Sequence, residues 1–179
     1  MIQTVLFVCT GNTCRSPMAE YLFRRKLGGV LDVHCSSAGL AAPDGAPASP
    51  HAITVMREIG CDLSAHRSRS LTPEMIDEAG LIVVMTSAHR DAVCRLCPQA
   101  RDRVRLLHAF GVEQTGKDVS DPFGQSESRY RQTRNELDDA IRHDLFLHAR
   151  VQKPLAAIDR GLMFLHDHKI IALQHGLTV

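Results

Sequence analysis

The 179-residue sequence carries almost no net charge, no long apolar run, and no histidines at metal-ligand spacing. A formal charge of +1 gives bulk electrostatics no reason to select nucleic acid or an anionic membrane surface as a partner. No segment approaches the length needed to span a bilayer. The first apolar stretch, Val5 to Val8, follows no basic region, so it is expected to be a strand and not a signal peptide. Six cysteines would permit a disulfide framework in an exported chain, but nothing indicates export, and the protein is expected to be cytoplasmic with free thiols. His166, His168 and the remaining histidines are scattered and expected on the surface, so neither a metal nor another cofactor is implied. What is present is ordinary for a globular chain: 44% hydrophobic and 23% charged residues, enough for one domain with its own core.

The hydrophobic pattern alternates strand and helix. Val5 to Val8 is followed by Met18, Ala19, Leu22, Phe23 and Leu27 at helical spacing, stopped by Gly28-Gly29. Val33 to Ser37 reads as a second strand ending in Gly39. Ser49-Pro50 opens a helix with Ile53, Met56 and Ile59 inward and Gly60 as stop. Thr72-Pro73-Glu74 starts a short helix, and Leu81 to Met85 is the continuous branched run of a strand covered on both faces. Ser87 is expected to cap a helix carrying Ala92, Val93 and Leu96; Val104 to Leu107 supplies a fourth strand. Ser126 is expected to cap a long helix containing Tyr130, Leu137, Ile141 and Leu145. Such alternation implies an α/β fold with a parallel sheet wrapped by helices, and ligands in such sheets bind at the carboxyl ends of strands. The arginines at 67 and 69, and at 101, 103 and 105, are expected on solvated faces.

Cys9 stands at one of those strand ends and opens Cys9-Thr-Gly-Asn-Thr-Cys-Arg15-Ser-Pro17. A thiolate that attacks phosphorus needs a loop whose N–H groups point inward at three phosphoryl oxygens, an anion nest. Gly11 allows a positive φ and Asn12 tolerates one, which would turn those amides inward. The following helix adds its unpaired N-terminal N–H groups and dipole, an environment that favours thiolate over thiol. Five intervening residues bring Arg15 round to offer a bidentate fork, which lysine could not supply. Ser16 is positioned to donate to the sulfur, and Pro17 fits the first helical turn.

The run Cys9 to Glu20 resembles the signature of the low-molecular-weight protein tyrosine phosphatases, and within that family the bacterial protein-arginine-phosphatase branch. The likeness continues through Ser36-Ser-Ala-Gly39, Pro50-His-Ala52, Leu71-Thr72, Val84-Met-Thr86 with His89, and Asp118-Val-Ser-Asp-Pro-Phe-Gly124 with Tyr130 and Glu136-Leu137. It implies a flavodoxin-like, four-stranded sheet in order 2-1-3-4, with a phosphatase domain over 1–150. It also implies phosphorylated protein substrates, with phosphoarginine preferred over phosphotyrosine. Thr13 replaces the larger aliphatic residue usual at that position in the tyrosine phosphatases, leaving Phe123 as the evident aromatic wall.

The resemblance makes Asp121 the acid that protonates the leaving group and then activates water, with Asp118 the weaker candidate. It makes His66 the support of loop residue Asn12, and Thr10, Gly11, Asn12, Thr13, Cys14 and Ser16 the phosphate cradle. Cys14 is also close enough in sequence to capture an oxidised Cys9. Arsenate reductases share this fold and loop, but they relay oxidation through two further cysteines. The pair Cys94 and Cys97 matches neither their spacing nor their position, because Thr86 stands where a cysteine would be needed. Residues 151–179 form an extension in which Leu155, Ile158, Leu162 and Leu165 share one helical face, packed either on the domain or on a partner.

Overall fold

The computed structural model describes residues 4–28, 33–110, 116–141, 165–166 and 169–170. Four parallel strands form the main sheet in the order β2-β1-β3-β4: β1 Thr4–Cys9, β2 His34–Gly39, β3 Leu81–Val84 and β4 Val104–Leu106. The expected order therefore holds. The helices are α1 Arg15–Leu27, α2 Pro50–Arg57, α3 Pro73–Glu78, α4 Ser87–Leu96 and α5 Glu127–Ala140.

β1 is central, and its period-2 alternation sorts the two halves of the core. Val5, Phe7 and Cys9 face one layer, where they meet Met18, Leu22 and Phe23 of α1, Val55 and Met56 of α2, and Tyr130 and Leu137 of α5. Leu6 and Val8 face the other, with Ile76 of α3, Val93 of α4, Cys97 and Ala100. The register pairs Cys9 with Gly39, so the reactive end of β1 lies beside the end of β2.

Local signals explain most helix ends. Gly28 closes α1 with φ 52°, a left-handed conformation that costs glycine little. Ser49 and Thr72 cap α2 and α3 by accepting from Ala52 N and Met75 N, each with proline in the first turn. At α4 the expectation of Ser87 as cap is corrected: Thr86 is extended and its hydroxyl accepts from His89 N, while Ser87 is already helical. Ser126 precedes α5 but makes no side-chain capping bond.

The inward faces also differ in detail. In α2 the fully buried residues are Ala52, Val55 and Met56, with Ile53 and Ile59 only half-buried. Leu96 is 46% exposed and its place in the α4 core goes to Val93 and His89. Arg103 is not a solvated charge, for its Nη1 donates to the carbonyls of Ile76, Asp77 and Ala79 and so closes the C-terminus of α3. Of the expected C-terminal helix, residues 154–164 lie outside the described residues, as do Leu145 and His168. Leu165 pairs with Ile170 across a short antiparallel ladder, β5 Leu165–His166 and β6 Lys169–Ile170.

Candidate active site

The loop from Cys9 to Arg15 joins β1 to α1 and is built around Asn12, which is fully buried. Asn12 has φ 50°, the one positive value outside glycine among the described residues. Gly11 does not, which corrects the expectation of two adjacent left-handed residues. Among the described residues a Cβ on Gly11 would meet only Thr13 Oγ1 at 3.7 Å, an ordinary contact that does not demand glycine there.

Every polar atom of the Asn12 side chain is used. Nδ2 donates to Ser16 Oγ and to Ser37 Oγ, both at 2.9 Å, and Oδ1 accepts from Arg69 N at 3.0 Å. Its carbonyl accepts from His66 Nε2 at 2.7 Å, which fixes the proton on that nitrogen. His66 is thus buried and bonded to the loop through the backbone carbonyl of Asn12, not through its side chain. Ser37 Oγ donates to Glu20 Oε2 at 2.6 Å, and Arg24 Nη2 donates to Glu20 Oε1. Arg69 Nε donates to Ser37 O, so this arginine also belongs to the scaffold.

Cys9 is 3% exposed and its Sγ lies 3.0 Å from Ser16 Oγ. Because Ser16 already accepts from Asn12, its own proton is free for the sulfur, the alternative being Ala38 O at 3.4 Å. The N–H groups of Gly11, Asn12, Thr13 and Cys14 donate to no other described residue. Arg15 is 4% exposed; Nη1 donates to Val119 O at 3.2 Å and Nη2 to Asp121 Oδ2 at 2.5 Å, while its buried Nε has no partner among the described residues. Five donors of one short loop are thus left for an acceptor, and burying such groups unpaired costs about 1–3 kcal/mol each.

The strand ends carry the rest. Val119 N donates to Met85 O just beyond β3, which holds the Asp121 segment over the loop. Asp121 Oδ1 accepts from Phe123 N at 3.1 Å, and the Phe123 ring stands 72% exposed beside it. Asp118 is occupied differently, accepting from Ser87 N at 2.7 Å and from Ser87 Oγ at 3.2 Å. Gly39 is required by close approach: a Cβ there would lie 2.5 Å from Thr10 O and 2.9 Å from Asn12 N.

Thr13 is half-buried and its carbonyl accepts from Ser49 N. Cys14 Sγ lies 3.2 Å from Tyr130 Oη and 3.6 Å from Ser49 Oγ, so pairing with Cys9 would require it to leave these partners. Burial, and next the bond to Cys14, push the Tyr130 hydroxyl up to about 12. Cys97 is buried against Leu6 and Val8, on the face of β1 opposite to Cys9, where burial raises its thiol. Among the described residues no group of three or more His, Cys, Asp or Glu could hold a metal.

Sequence reasoning missed His89 as a site residue, together with Ser37, Glu20 and Arg69. His89 Nε2 lies 2.9 Å from Thr10 Oγ1, the residue next to Cys9, and its Nδ1 is buried without a partner among the described residues. Burial, and next the Arg15 charge, push its ring down to about 4, so it is neutral at pH 7. The available signal was its place just past the end of β3, the kind of position where these sheets build sites.

The family model described as low molecular weight phosphotyrosine protein phosphatase matches residues 4–157. A protein-arginine-phosphatase of Geobacillus stearothermophilus is 46% identical over 141 residues, 79% of this chain and 93% of that protein. A structure of YwlE arginine phosphatase, a mutant with a phosphorylated active-site serine, superposes with TM-score 0.75 at 38% identity, covering 83% of this chain and 94% of that one. The tyrosine phosphatase AmsI of Erwinia amylovora superposes with TM-score 0.73 at 33% identity, covering 79% and 89%.

Proposed function

Because the chain belongs to the low molecular weight phosphotyrosine protein phosphatase family and is a cysteine-based protein phosphatase, we propose that it removes phosphoryl groups from arginine side chains through a phosphocysteine on Cys9. The observation that carries the site assignment is the set of five unpartnered donors, four loop amides and Arg15 Nε, in the one loop that begins at a buried thiol bonded to Ser16.

In this mechanism Cys9 Sγ attacks phosphorus as the P–N bond breaks. The loop amides and Arg15 take up the charge of the equatorial oxygens, and Ser16 steadies the sulfur as anion. An incoming phosphoryl group competes with Asp121 for the Arg15 fork; Asp121, freed from that ion pair, takes up a proton from solvent and passes it to the departing guanidine nitrogen. Asp121, now ionised, takes a proton from water that attacks the phosphocysteine. The S–P bond breaks, inorganic phosphate leaves, and the Cys9 thiolate is restored. Phe123 walls the exposed side of the cleft, and Thr10 is oriented by His89.

Similarity to arginine phosphatases at 46% identity supports phosphoarginine, and Thr13 supports it chemically, since a polar guanidine suits a hydroxyl better than an aliphatic wall. Phosphotyrosine is the second reading, favoured by the exposed Phe123 ring, which offers a phenyl group a stacking surface. The catalytic domain is placed at 1–150 with 151–179 as an extension, while the family match itself runs from 4 to 157. A catalytic thiolate needs a reducing compartment, which suits the cytoplasm. No helix among the described residues is long and apolar enough to cross a membrane.

The test is kcat/KM on phosphoarginine and phosphotyrosine peptides side by side. The wild type is expected to prefer phosphoarginine. Thr13→Ile should shift the ratio towards phosphotyrosine by roughly tenfold to a hundredfold, the effect of leaving polar groups of the wrong substrate unpaired. A wild type already faster on phosphotyrosine would establish the second reading instead.

A further inference from the structure

Outside the catalytic loop, one cavity among the described residues is lined mainly by arginines. It has a volume of about 720 Å³ and lies between α4 and β4, lined by Arg90, Asp91, Cys94 and Arg95 on the helix side and by Arg101, Val104, Arg105 and Leu106 on the other. Four arginines face a single aspartate there, in a chain whose net charge is only +1. Arg90 reaches Asp91 at 3.4 Å and Arg105 donates to Val104 O, but the guanidinium groups of Arg95 and Arg101 have no hydrogen bond or ion pair to another described residue. The floor is partly apolar, and among the described residues β4 pairs only with β3, so its outer edge borders the cavity.

An open strand edge offers main-chain pairing, an apolar floor takes alternate side chains, and flanking guanidinium groups take carboxylates. Together they fit an extended segment in which acidic and apolar residues alternate. A nucleotide fits less well, because its phosphates favour a helix N-terminus, whereas that end of α4 is engaged with Asp118 and the arginines lie further along. The chain's own residues 142–179 carry five Lys and Arg against three Asp, the wrong sign for this surface.

We propose that the groove docks an extended acidic segment of the phosphorylated protein while its phosphoarginine occupies the Cys9 loop, a proposal that rests on the protein-phosphatase reading. The two sites share α4: His89 contacts Thr10 of the loop, and Arg95 lies about 9 Å further along the helix axis at 1.5 Å per residue. An extended chain covers such a distance in about three residues.

The experiment compares a short phosphoarginine peptide with the same peptide extended at either end by alternating Glu and Leu. It also measures by fluorescence anisotropy the binding of the labelled extension without phosphate. At low salt the wild type should turn over one extended peptide with kcat/KM about tenfold higher, as expected for a few exposed charge pairs acting together. It should also bind the unphosphorylated extension, and added salt should weaken both effects. Arg95→Glu combined with Arg101→Glu should abolish both and leave the short peptide's kcat/KM unchanged. Equal turnover of short and extended peptides, or a preference that survives the double reversal, would overturn the proposal. So would displacement of the extension by inorganic triphosphate as readily as by unlabelled peptide, or its loss through disruption of a dimer seen by light scattering. If the short phosphoarginine peptide were not hydrolysed while the extension still bound through these arginines, the substrate reading would fail and the docking surface would stand.

Discussion

Replacing Asn12 tests the architecture of the loop, because this residue combines a left-handed backbone with four hydrogen bonds. Asn12→Ala keeps the carbonyl that His66 holds but removes both donations from Nδ2 and the acceptance from Arg69 N. Holding alanine at φ 50° costs about 1–2 kcal/mol, since asparagine is favoured there and alanine is not. The orphaned Arg69 N–H costs about 1–3 kcal/mol more. The expected loss is therefore about 2–5 kcal/mol, a large share of a stability of about 5–15 kcal/mol. Asn12→Gly removes the same side-chain bonds without the backbone cost, so it should be less destabilising than alanine by about 1 kcal/mol. In both variants Ser16 loses the donor that directs its proton towards Cys9, and turnover should fall by roughly fivefold to tenfold, the effect of about one hydrogen bond. Urea denaturation of the three proteins, with kcat/KM measured on each, gives all the terms. Alanine no more destabilising than glycine, or a loss below about 1 kcal/mol for both, would refute the reasoning.

Two further outcomes follow from the neighbouring groups. Asp121→Ala should slow turnover most for poor leaving groups and least for activated aryl phosphates, whereas Asp118→Ala, whose carboxylate is tied to Ser87, should act chiefly on the placement of the loop. Greater damage from Asp118→Ala with every substrate, seen in a leaving-group series, would reverse the acid assignment. His89 is held below its unfolded value, down to about 4, so its neutral form stabilises the fold fully above about pH 6.5, and that contribution is lost as pH falls from there towards 4. His89→Gln should flatten this part of the stability profile; an unchanged profile from pH 6.5 to 4 would mean that the ring titrates normally.

What could be read from the sequence was mostly local or periodic. Cys9, Arg15 and Ser16 lie within one short loop, so their spacing alone suggests a shared site, and β1 announces itself by an unbroken apolar run. The strand order came from likeness, because alternation of elements says nothing about which strands are neighbours. Capping of α4 was misread by one residue because Thr86 and Ser87 are both competent caps, and only the extended backbone of Thr86 decides between them. Gly11 and Asn12 were assigned one conformation each from general tolerance, while the fold concentrates the left-handed turn in Asn12, where four partners hold it. Ser37, Glu20, Arg69 and His89 reach the loop from distant segments through side-chain bonds, which leave no periodic trace. Arg103 likewise sits in a run of charges typical of a solvated face, and only the fold brings the carbonyls of α3 to its guanidinium.

Rapid-quench turnover of a phosphoarginine peptide, followed by digestion and mass spectrometry under conditions that preserve S–P bonds, bears most directly on the proposed chemistry. Phosphate should appear transiently on the peptide containing Cys9, rise within the first turnover, and be absent in Cys9→Ser, which should still bind inorganic phosphate through the loop amides and Arg15. Phosphate on any other residue, or substantial turnover by Cys9→Ser with no phosphoenzyme at all, would contradict a mechanism through Cys9.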